Sequence, residues 1–371
     1  MIKHEKEKLK KNLKMDEFEF LKKLSNGPTA DMFLSKNRKT GTKLYAIKRM
    51  RLKDQDCEED FEKNLNIFEK IVSIDPKPRA FPSNYYGYEK EVDEFKQITF
   101  QVVFDYYPHS LKSLISEKKL TPNASPFQFS KIHNYFKRLV NGLAFLQTLQ
   151  VCHRDLKSAN LLLDETLENI YLMDFRKSNE TYMTKKQMAL EGILEYSSPE
   201  MYKAFKKAPN INVEFNPYKS DVFSLGLIML EMINFTIPER DIDFDLSKKN
   251  IEDALDETQK KYENILNKNE EMDELKNFIK TLRKCLSIDP KDRPDFISLF
   301  KNSLKAVNDY DLIKAHILIE DFVKLQSSKF DSVKIPASHN FELRSQNKAV
   351  FVKICSKREK IPLLNSFNNE M

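Results

Sequence analysis

The eight-residue stretch HRDLKSAN, at positions 153–160, constrains this chain more than any other feature of its sequence. It places a carboxylate (Asp155), an ammonium group (Lys157) and a carboxamide (Asn160) within six residues. Phosphoryl transfer uses groups of these kinds, because a carboxylate orients the attacking hydroxyl, a cation lies beside the transferred group and oxygen atoms bind Mg²⁺. The stretch therefore predicts a loop suited to phosphoryl transfer.

Apolar spacing and turn residues divide the chain into a strand-rich first part and a helix-rich second part. Alternating apolar residues predict strands within 16–50 and 81–107. A helix over 55–74 is predicted by apolar residues at helical spacing, namely Phe61, Leu65, Phe68 and Ile71. Later helices are predicted over 127–150, 220–234, 272–286 and 296–305. Strands followed by helices indicate an α+β protein.

Shorter motifs precede and follow the loop. The strand-like sequence Tyr-Ala-Ile-Lys ends at Lys48, and Asp-Phe-Arg begins at Asp174, 19 residues after Asp155. Downstream lie Gly-Ile-Leu-Glu-Tyr-Ser-Ser-Pro-Glu at 192–200, Ser-Asp-Val-Phe-Ser-Leu-Gly at 220–226 and Asp-Arg-Pro at 292–294.

With these motifs in this order over about residues 18–300, the chain resembles the eukaryotic protein kinase family of the Ser/Thr type. The wording of the 153–160 loop and the Asp-Arg-Pro motif is similar to that of the tyrosine-kinase-like and STE-like groups. The resemblance implies a bilobal α+β fold. Its small β-rich N-lobe, with one main helix, would cover about 16–107, and its larger α-helical C-lobe about 108–300.

The resemblance also implies a reaction, the cofactors ATP and Mg²⁺, and roles for the polar residues. Asp155 would accept the proton of a substrate hydroxyl, and Lys157 favours Ser or Thr as the acceptor. Lys48 would hold the α- and β-phosphates of ATP. Asn160 and Asp174 would bind Mg²⁺.

Further residues would surround the nucleotide or support the site. The implied ATP contacts, besides Lys48, are Gly27, Met32, Ala46, Asp105, Tyr107 and Leu162, with Phe104 as gatekeeper. The resemblance pairs Glu200 with Arg293 and places Asp221 beneath the 153–160 loop. Hydroxyls at Ser178, Thr181, Tyr182 and Thr184 are candidates for activating phosphorylation, with plain solvated hydroxyls as the alternative.

The phosphate-binding loop departs from the family pattern. Where the family has three glycines, this chain has Ser25, Gly27 and Ala30, and Pro28 removes one N–H donor. Glycine allows the backbone to approach phosphates closely. We therefore expect weaker ATP binding, not its loss.

Three further departures affect the groups that position the reactive ones. Asn64 occupies the helix position where the family has a Glu that pairs with Lys48, and Asp60 is a possible substitute on the same helix face. Arg176 replaces the glycine of Asp-Phe-Gly, and Ile193 replaces a Thr. Positioning is a large part of kinase catalysis, so the alternative is a pseudokinase or a weakly active nucleotide-binding scaffold.

Small-molecule kinases of the aminoglycoside and choline group form another alternative, because they share an H-x-D-x-x-x-x-N loop. They lack counterparts of the 192–200 segment and of the helix that contains Asp221. The complete set of motifs therefore favours a kinase that acts on proteins.

Two extensions flank the expected domain of residues 16–300. Residues 1–15 form a basic N-terminal extension, since 1–14 contain six Lys and two Glu and thus +4 of the chain's net charge of +6. The remaining +2 gives little support for nucleic-acid binding. Residues 301–371 form a C-terminal extension, in which an amphipathic helix is expected over 312–325.

Cysteine usage and hydropathy limit the class of protein. The four cysteines lie far apart without a CxxC pair, which disfavours a disulfide framework or a zinc site. The longest apolar run, near 225–230, is far shorter than the roughly 20 residues that a membrane span requires. We therefore expect a cytoplasmic protein, with the nucleus as an alternative, that acts on protein substrates. Its oligomeric state is left open.

Overall fold

The computed structural model of the protein describes residues 13–26, 30–52, 55–74, 78–82, 85–180, 186–189, 194–207, 212–240, 243–266, 269–303, 340–346 and 349–355. The chain divides into two compact units, Met1–Ile313 and Lys314–Met371.

The first part of the larger unit is an antiparallel five-stranded sheet. Its strands are β1 (Phe18–Asn26), β2 (Ala30–Asn37), β3 (Leu44–Leu52), β4 (Tyr85–Val92) and β5 (Ile98–Asp105). They lie in the order β1-β2-β3-β5-β4. In the β2–β3 turn, Gly41 has φ +67°, a conformation that residues with a side chain rarely adopt. The strands predicted for this part of the chain are thus confirmed.

Helix α1 (Gln55–Ser73) packs on this sheet through the predicted apolar stripe. The residues of that stripe are all buried: Phe61, Leu65, Phe68 and Ile71. The Phe61 ring lies 4.4 Å from that of Phe100, and the Phe68 ring lies 5.4 Å from that of Phe104, both on β5. The stripe therefore joins the helix to strand β5 of the sheet.

The second part of the unit is mainly helical. Its helices are α2 (Leu111–Leu120), α3 (Phe129–Thr148), α4 (Pro199–Lys207), α5 (Pro217–Asn234), α6 (Phe244–Glu263), α7 (Asn269–Cys285) and α8 (Phe296–Ser303). Short strands lie between them: β6 (His109–Ser110), β7 (Val151–Cys152), β8 (Leu161–Leu163), β9 (Ile170–Leu172), β10 (Asn179–Glu180), β11 (Lys186–Ala189) and β12 (Asn212–Phe215). An N-terminal sheet followed by a helical part confirms the predicted α+β architecture.

Helix α5 forms the centre of the helical part. Every residue from Asp221 to Ile233 is buried, as expected for a largely apolar helix that lies in the core. A Cβ at Gly226 would lie 2.8 Å from the Leu286 side chain. Glycine at this position therefore lets the chain beyond α7 pack directly against α5.

Three helices of the structure, α2, α4 and α6, lie outside the predicted set. Helix α2 begins with a capping box, in which the side chains of Ser110 and Ser113 each bind the other's backbone N–H. The buried residues of α6 include Ile251, Leu255 and Tyr262, but charged residues surround them. Short or strongly charged helices give weak periodic signals, which explains their omission.

The smaller unit contains an antiparallel hairpin. Strand β13 (Asn340–Gln346) pairs with β14 (Ala349–Cys355), in a register that sets Asn340 opposite Cys355. The sequence did not predict these strands. The helix expected over 312–325 and the basic residues 1–12 lie outside the described part of the chain. Within the described residues, no helix has both the length and the apolar character needed to cross a membrane.

Candidate active site

Helix α5 supports the 153–160 loop from beneath. The Asp221 carboxylate accepts hydrogen bonds from the backbone N–H groups of His153 (2.7 Å) and Arg154 (2.9 Å). Arg154 has φ +65°, a backbone conformation that is uncommon for residues with a side chain. Burial raises the pKa of the Asp221 carboxyl to about 7, although both N–H groups act to lower it. Asp221 thus provides the support that the resemblance implied.

Three predicted site residues meet at one carboxylate in this loop. Asp155 is 5% exposed, and the Lys157 Nζ lies 2.9 Å from its Oδ2. The Asn160 Nδ2 donates to the same Oδ2 at 3.1 Å and to the Asp155 carbonyl at 2.8 Å. A second ammonium group, that of Lys177, lies 3.9 Å from Oδ1. The carboxylate is therefore fixed in orientation and surrounded by positive charge.

A second carboxylate, that of Asp174, is held by two cations. The Lys48 Nζ from β3 lies 2.8 Å from Asp174 Oδ1. Arg176 binds the same carboxylate with both ends of its guanidinium, from Nε to Oδ1 at 2.8 Å and from Nη2 to Oδ2 at 3.0 Å. Asp174 itself has φ +65°. Lys48 and Asp174, 126 residues apart in sequence, are thus brought together.

Burial and charge shift the pKa values of this group in defined directions. Burial acts to raise the pKa of Asp174, but Lys48 and Arg176 outweigh it, and the pKa lies well below its usual range. Burial lowers the pKa of Lys48, although Asp174 acts to raise it. Asp174 therefore stays ionised, as a metal ligand requires.

The sequence predicted a partner for Lys48 on helix α1. The side chains of Asn64 and Asp60 lie outside the described part of the structure, so their pairing with Lys48 stays a prediction. The partner that the described residues provide is Asp174.

A column of aromatic rings links α1 to the 153–160 loop. The Phe175 ring lies 5.4 Å from that of Phe68 on α1 and 5.1 Å from that of His153. Phe68 in turn lies 5.5 Å from Tyr85 on β4. The sequence predicted only the burial of Phe68, because its neighbours come from distant parts of the chain. The column thus places the Phe175 ring of the Asp-Phe-Arg motif directly against α1.

The residues expected around the nucleotide come from both parts of the unit. On β3, Ala46 is 6% exposed and is in register with Phe104 of β5. Met32 of β2 is in register with Lys48. Leu162 is half-buried on β8. Gly27 lies outside the described residues.

The segment that follows β5 carries the other two expected contacts. The Asp105 carboxylate binds the Lys43 Nζ at 3.0 Å and accepts from the Tyr86 hydroxyl at 2.8 Å. The Tyr107 ring lies 4.4 Å from that of Tyr171 on β9. Asp105 and Tyr107 are thus anchored by their side chains, which leaves the backbone as the part that could bind an adenine edge.

The segment before α4 is held by an arginine that sequence reasoning missed. The Arg240 guanidinium donates to the carbonyl of Leu194 at 2.7 Å and also to those of Glu195 and Ser197. It stacks on the Tyr202 ring at 5.1 Å. Burial lowers the pKa of Arg240 to about 10. Its position in an irregular segment after α5 gave no sequence signal.

A series of hydrogen-bonded polar side chains connects the same segment to the 153–160 loop. The Tyr196 hydroxyl lies 2.9 Å from Ser158 Oγ and donates to Glu231 Oε2 at 2.7 Å. The other oxygen of Glu231 binds the Lys112 Nζ at 2.8 Å. These hydrogen bonds connect the 153–160 loop to α5 and α2.

The candidate phosphorylation sites are only partly described. Ser178 is buried, and its hydroxyl donates to the His153 carbonyl at 3.3 Å. In this conformation Ser178 is not the solvated hydroxyl that the sequence allowed. Thr181, Tyr182, Thr184 and the departure Ile193 lie outside the described residues.

The donor set fits Mg²⁺ in kind. A carboxylate at Asp174 and an amide oxygen at Asn160 are hard oxygen ligands, which this ion prefers together with substrate phosphates. The Met173 N–H donates to the Asn160 carbonyl at 3.0 Å, so the two ligand-bearing segments are in direct contact. Within the described part of the chain, no group of three or more His, Cys, Asp or Glu residues could hold a metal alone.

Comparison with known proteins agrees with this geometry. The family model for the protein kinase domain matches residues 18–304, which is more than half of the chain. A Dictyostelium discoideum protein named as a probable serine/threonine-protein kinase is 26% identical over 60% of this chain and 20% of its own length. Mitogen-activated protein kinase kinase kinase 5 of Arabidopsis thaliana is 26% identical over 57% of this chain and 28% of its own length.

The chain therefore spans only a minor part of the length of these curated relatives. The family match nevertheless covers both the sheet and the helical part, including the loop at 153–160 and the Glu200–Arg293 pair. This chain belongs to the protein kinase domain family.

Proposed function

We propose that this chain transfers the γ-phosphoryl group of ATP, bound with Mg²⁺, to Ser or Thr hydroxyls of proteins. The observation that carries the proposal is the joint placement of Asp155, Lys157 and Asn160 with Lys48 and Asp174. These five residues supply a hydroxyl-orienting carboxylate, two ammonium groups and two oxygen ligands in one site.

Each residue has a task that follows from its contacts. Asp155 receives the proton of the acceptor hydroxyl on its carboxylate. Lys157 and Asn160 hold that carboxylate in a single orientation. Lys48, on the rigid strand β3, binds nucleotide phosphates. Lys157 neutralises charge on the group in transit. Asn160 and Asp174 would hold Mg²⁺, which supplies charge neutralisation between the phosphates when it is bound.

A protein acceptor is favoured by the ordered segment that precedes α4. Arg240 fixes three of its carbonyl groups, and an open cavity of about 400 Å³ lies beside Leu194 and Glu195. A surface of this kind can bind an extended peptide, and the neighbouring Tyr196 connects it to Ser158 of the 153–160 loop. Lys157 and the names of the relatives favour Ser or Thr as acceptor. We also propose a tyrosine-kinase-like or STE-like grouping and a cytoplasmic location.

The alternative is a pseudokinase or a weakly active scaffold that binds nucleotide. The observation in its favour is that both oxygens of Asp174 are engaged by Arg176. The presence of only one glycine, Gly27, where the family has three also favours this alternative.

Phosphorylation of a generic Ser/Thr protein with labelled ATP and Mg²⁺ distinguishes the two functions. The control is Asp155→Asn, which keeps the side chain's shape and removes its basicity. Proton transfer by a positioned side chain contributes roughly 10²–10⁴-fold, so we expect the variant to lose about that factor. Equal incorporation by both proteins would contradict catalysis by this chain.

Nucleotide binding is tested separately by thermal unfolding of the purified chain with ATP, with and without Mg²⁺. A ligand at 100 times its dissociation constant stabilises a protein by about 2.7 kcal/mol, which raises the melting temperature. Absence of a shift at saturating ATP would also contradict the scaffold alternative.

A further inference from the structure

Arg176 binds both oxygen atoms of the Asp174 carboxylate, which are the atoms available to a metal cation. Its Nε and Nη2 reach the two different oxygens of Asp174 at 2.8 and 3.0 Å. Such two-point bonds between arginine and carboxylate are both strong and geometrically specific. Since Lys48 takes Oδ1 as well, both oxygens of the candidate metal ligand already have a charged partner.

The local backbone favours this contact. Asp174 has φ +65°, and residues Phe175–Lys177 form a single 3₁₀ turn directly after it. The Phe175 ring is buried against Phe68 and His153, which anchors the turn. The Arg176 side chain therefore begins two residues from its target on a fixed backbone, so that only its own rotamers become ordered when the bond forms.

The charge at the site is positive without any metal. Two carboxylates, Asp155 and Asp174, are contacted by four cationic side chains, those of Lys48, Lys157, Arg176 and Lys177. The site thus has two positive charges in excess. Phosphate groups are attracted to such a site even in the absence of a divalent ion.

We propose that Arg176 competes with divalent metal for Asp174 and replaces part of its function, so that this chain binds nucleotide with little dependence on Mg²⁺. The inference rests on the proposed function, because it concerns the same nucleotide site. The Arg176 side chain is 34% exposed, so it can leave Asp174 and turn toward incoming phosphates. A glycine at this position would leave the Asp174 carboxylate to Lys48 and to the metal.

Calorimetric titration of ATP into the purified chain, once with excess EDTA and once with saturating Mg²⁺, tests the proposal. The measured quantity is the ratio of the two dissociation constants. For the unaltered chain we expect a ratio within about threefold of one. For Arg176→Gly we expect a ratio of at least about tenfold, since a charge-assisted hydrogen bond at a carboxylate is worth about that factor or more.

Two variants serve as controls. Arg176→Lys keeps the charge but has no two-point fork, and should give an intermediate ratio. Lys131→Gln removes a positive charge from α3, where the ammonium group pairs with Glu168 at 3.3 Å and is not one of the four cations of the site. Its ratio should match that of the unaltered chain. Arg176→Lys also provides the comparison if Arg176→Gly does not fold.

The outcomes separate the two proposals. Equal ratios for the unaltered chain and Arg176→Gly, or a ratio above about threefold in the unaltered chain, would overturn the role of Arg176 and leave the nucleotide site intact. Failure of all four proteins to bind ATP under either condition would overturn the proposed function, and the role of Arg176 with it.

Discussion

Arg293 and Glu200 form a two-bond ion pair that joins the start of α4 to the segment before α8. The Arg293 Nη2 lies 2.5 Å from Glu200 Oε2, and its Nη1 lies 3.1 Å from Oε1. The Arg293 side chain is fully buried, and it also donates to the carbonyls of Lys219 and Ile288. One guanidinium thus fixes three segments around the base of α5.

Removal of Glu200 should destabilise the protein strongly. Glu200→Ala leaves a buried guanidinium without its counter-charge, which typically costs about 3–5 kcal/mol. Urea unfolding measures the loss. The matched control is Glu180→Ala, because the Glu180–Lys70 pair has both side chains more than 40% exposed and should contribute less than about 1 kcal/mol. Similar losses of unfolding free energy in both variants would show that another group compensates the Arg293 charge when Glu200 is removed.

Arg240 should affect binding of the protein substrate more than binding of ATP. Arg240→Met keeps much of the side-chain volume and removes the donors to the carbonyls between Leu194 and Ser197. We expect the KM for a peptide substrate to rise by about tenfold or more, as loss of hydrogen bonds from a charged donor implies, with the KM for ATP unchanged. Steady-state kinetics with each substrate varied in turn measures both.

The control for this prediction is Arg49→Met. Arg49 lies on β3, with its guanidinium 5.0 Å from the Phe20 ring. Its replacement should therefore leave the KM for peptide unchanged. An equal rise in the KM for ATP and for peptide in Arg240→Met would indicate general distortion of the site.

Phe68 should be required for activity beyond its contribution to stability. Phe68→Ala opens a cavity in the aromatic column and should destabilise the chain by about 3–5 kcal/mol. Because Phe68 contacts both Phe175 and Phe104, the cavity also frees α1 and the Asp-Phe-Arg motif. Activity should therefore fall even at temperatures where the variant is fully folded.

Phe136→Ala provides the comparison, since Phe136 is a buried residue of α3 whose ring lies 5.3 Å from Phe278. It should lose similar stability but retain more activity. Equal activity of the two folded variants would show that the column does not couple α1 to the site.

The sequence was sufficient for the architecture and for the cluster of polar residues in the 153–160 loop. Asp155, Lys157 and Asn160 are neighbours in sequence, so their meeting in space follows from local loop geometry. The apolar stripe of α1 and the strands of the sheet follow from periodicity. Such features depend on contacts within one or two elements.

The groups that the sequence did not reveal depend on several distant segments. Arg240 and Glu231 reach the catalytic region only because α5 passes through the core and returns the chain to its surface. Arg176 was noticed as a departure from a glycine pattern, but its bond to both oxygens of Asp174 depends on the left-handed backbone at Asp174. Neither relation leaves a periodic or compositional signal.

His133 should make the stability of the helical part depend on pH. His133 belongs to α3 and faces α7; its ring stacks on Phe129 at 5.4 Å, and its Nδ1 lies 3.4 Å from Glu274 of α7. Burial, together with Lys137, lowers the pKa of His133 from 6.5 to about 4, although Glu274 acts to raise it. The unfolded chain therefore binds a proton at higher pH than the folded chain does. The neutral His133 ring contributes fully to the free energy of unfolding above about pH 6.5, and this contribution is lost as the pH falls toward 4.

The expected loss between pH 7.5 and pH 5 is about 2 kcal/mol of unfolding free energy from this residue. His133→Phe keeps an aromatic ring between α3 and α7 and cannot be protonated, so urea midpoints at the two pH values should differ less than in the unaltered chain. His109→Gln, at an exposed position of β6, should retain the full difference. If His133→Phe retained it as well, the acid sensitivity would have to come from other buried groups.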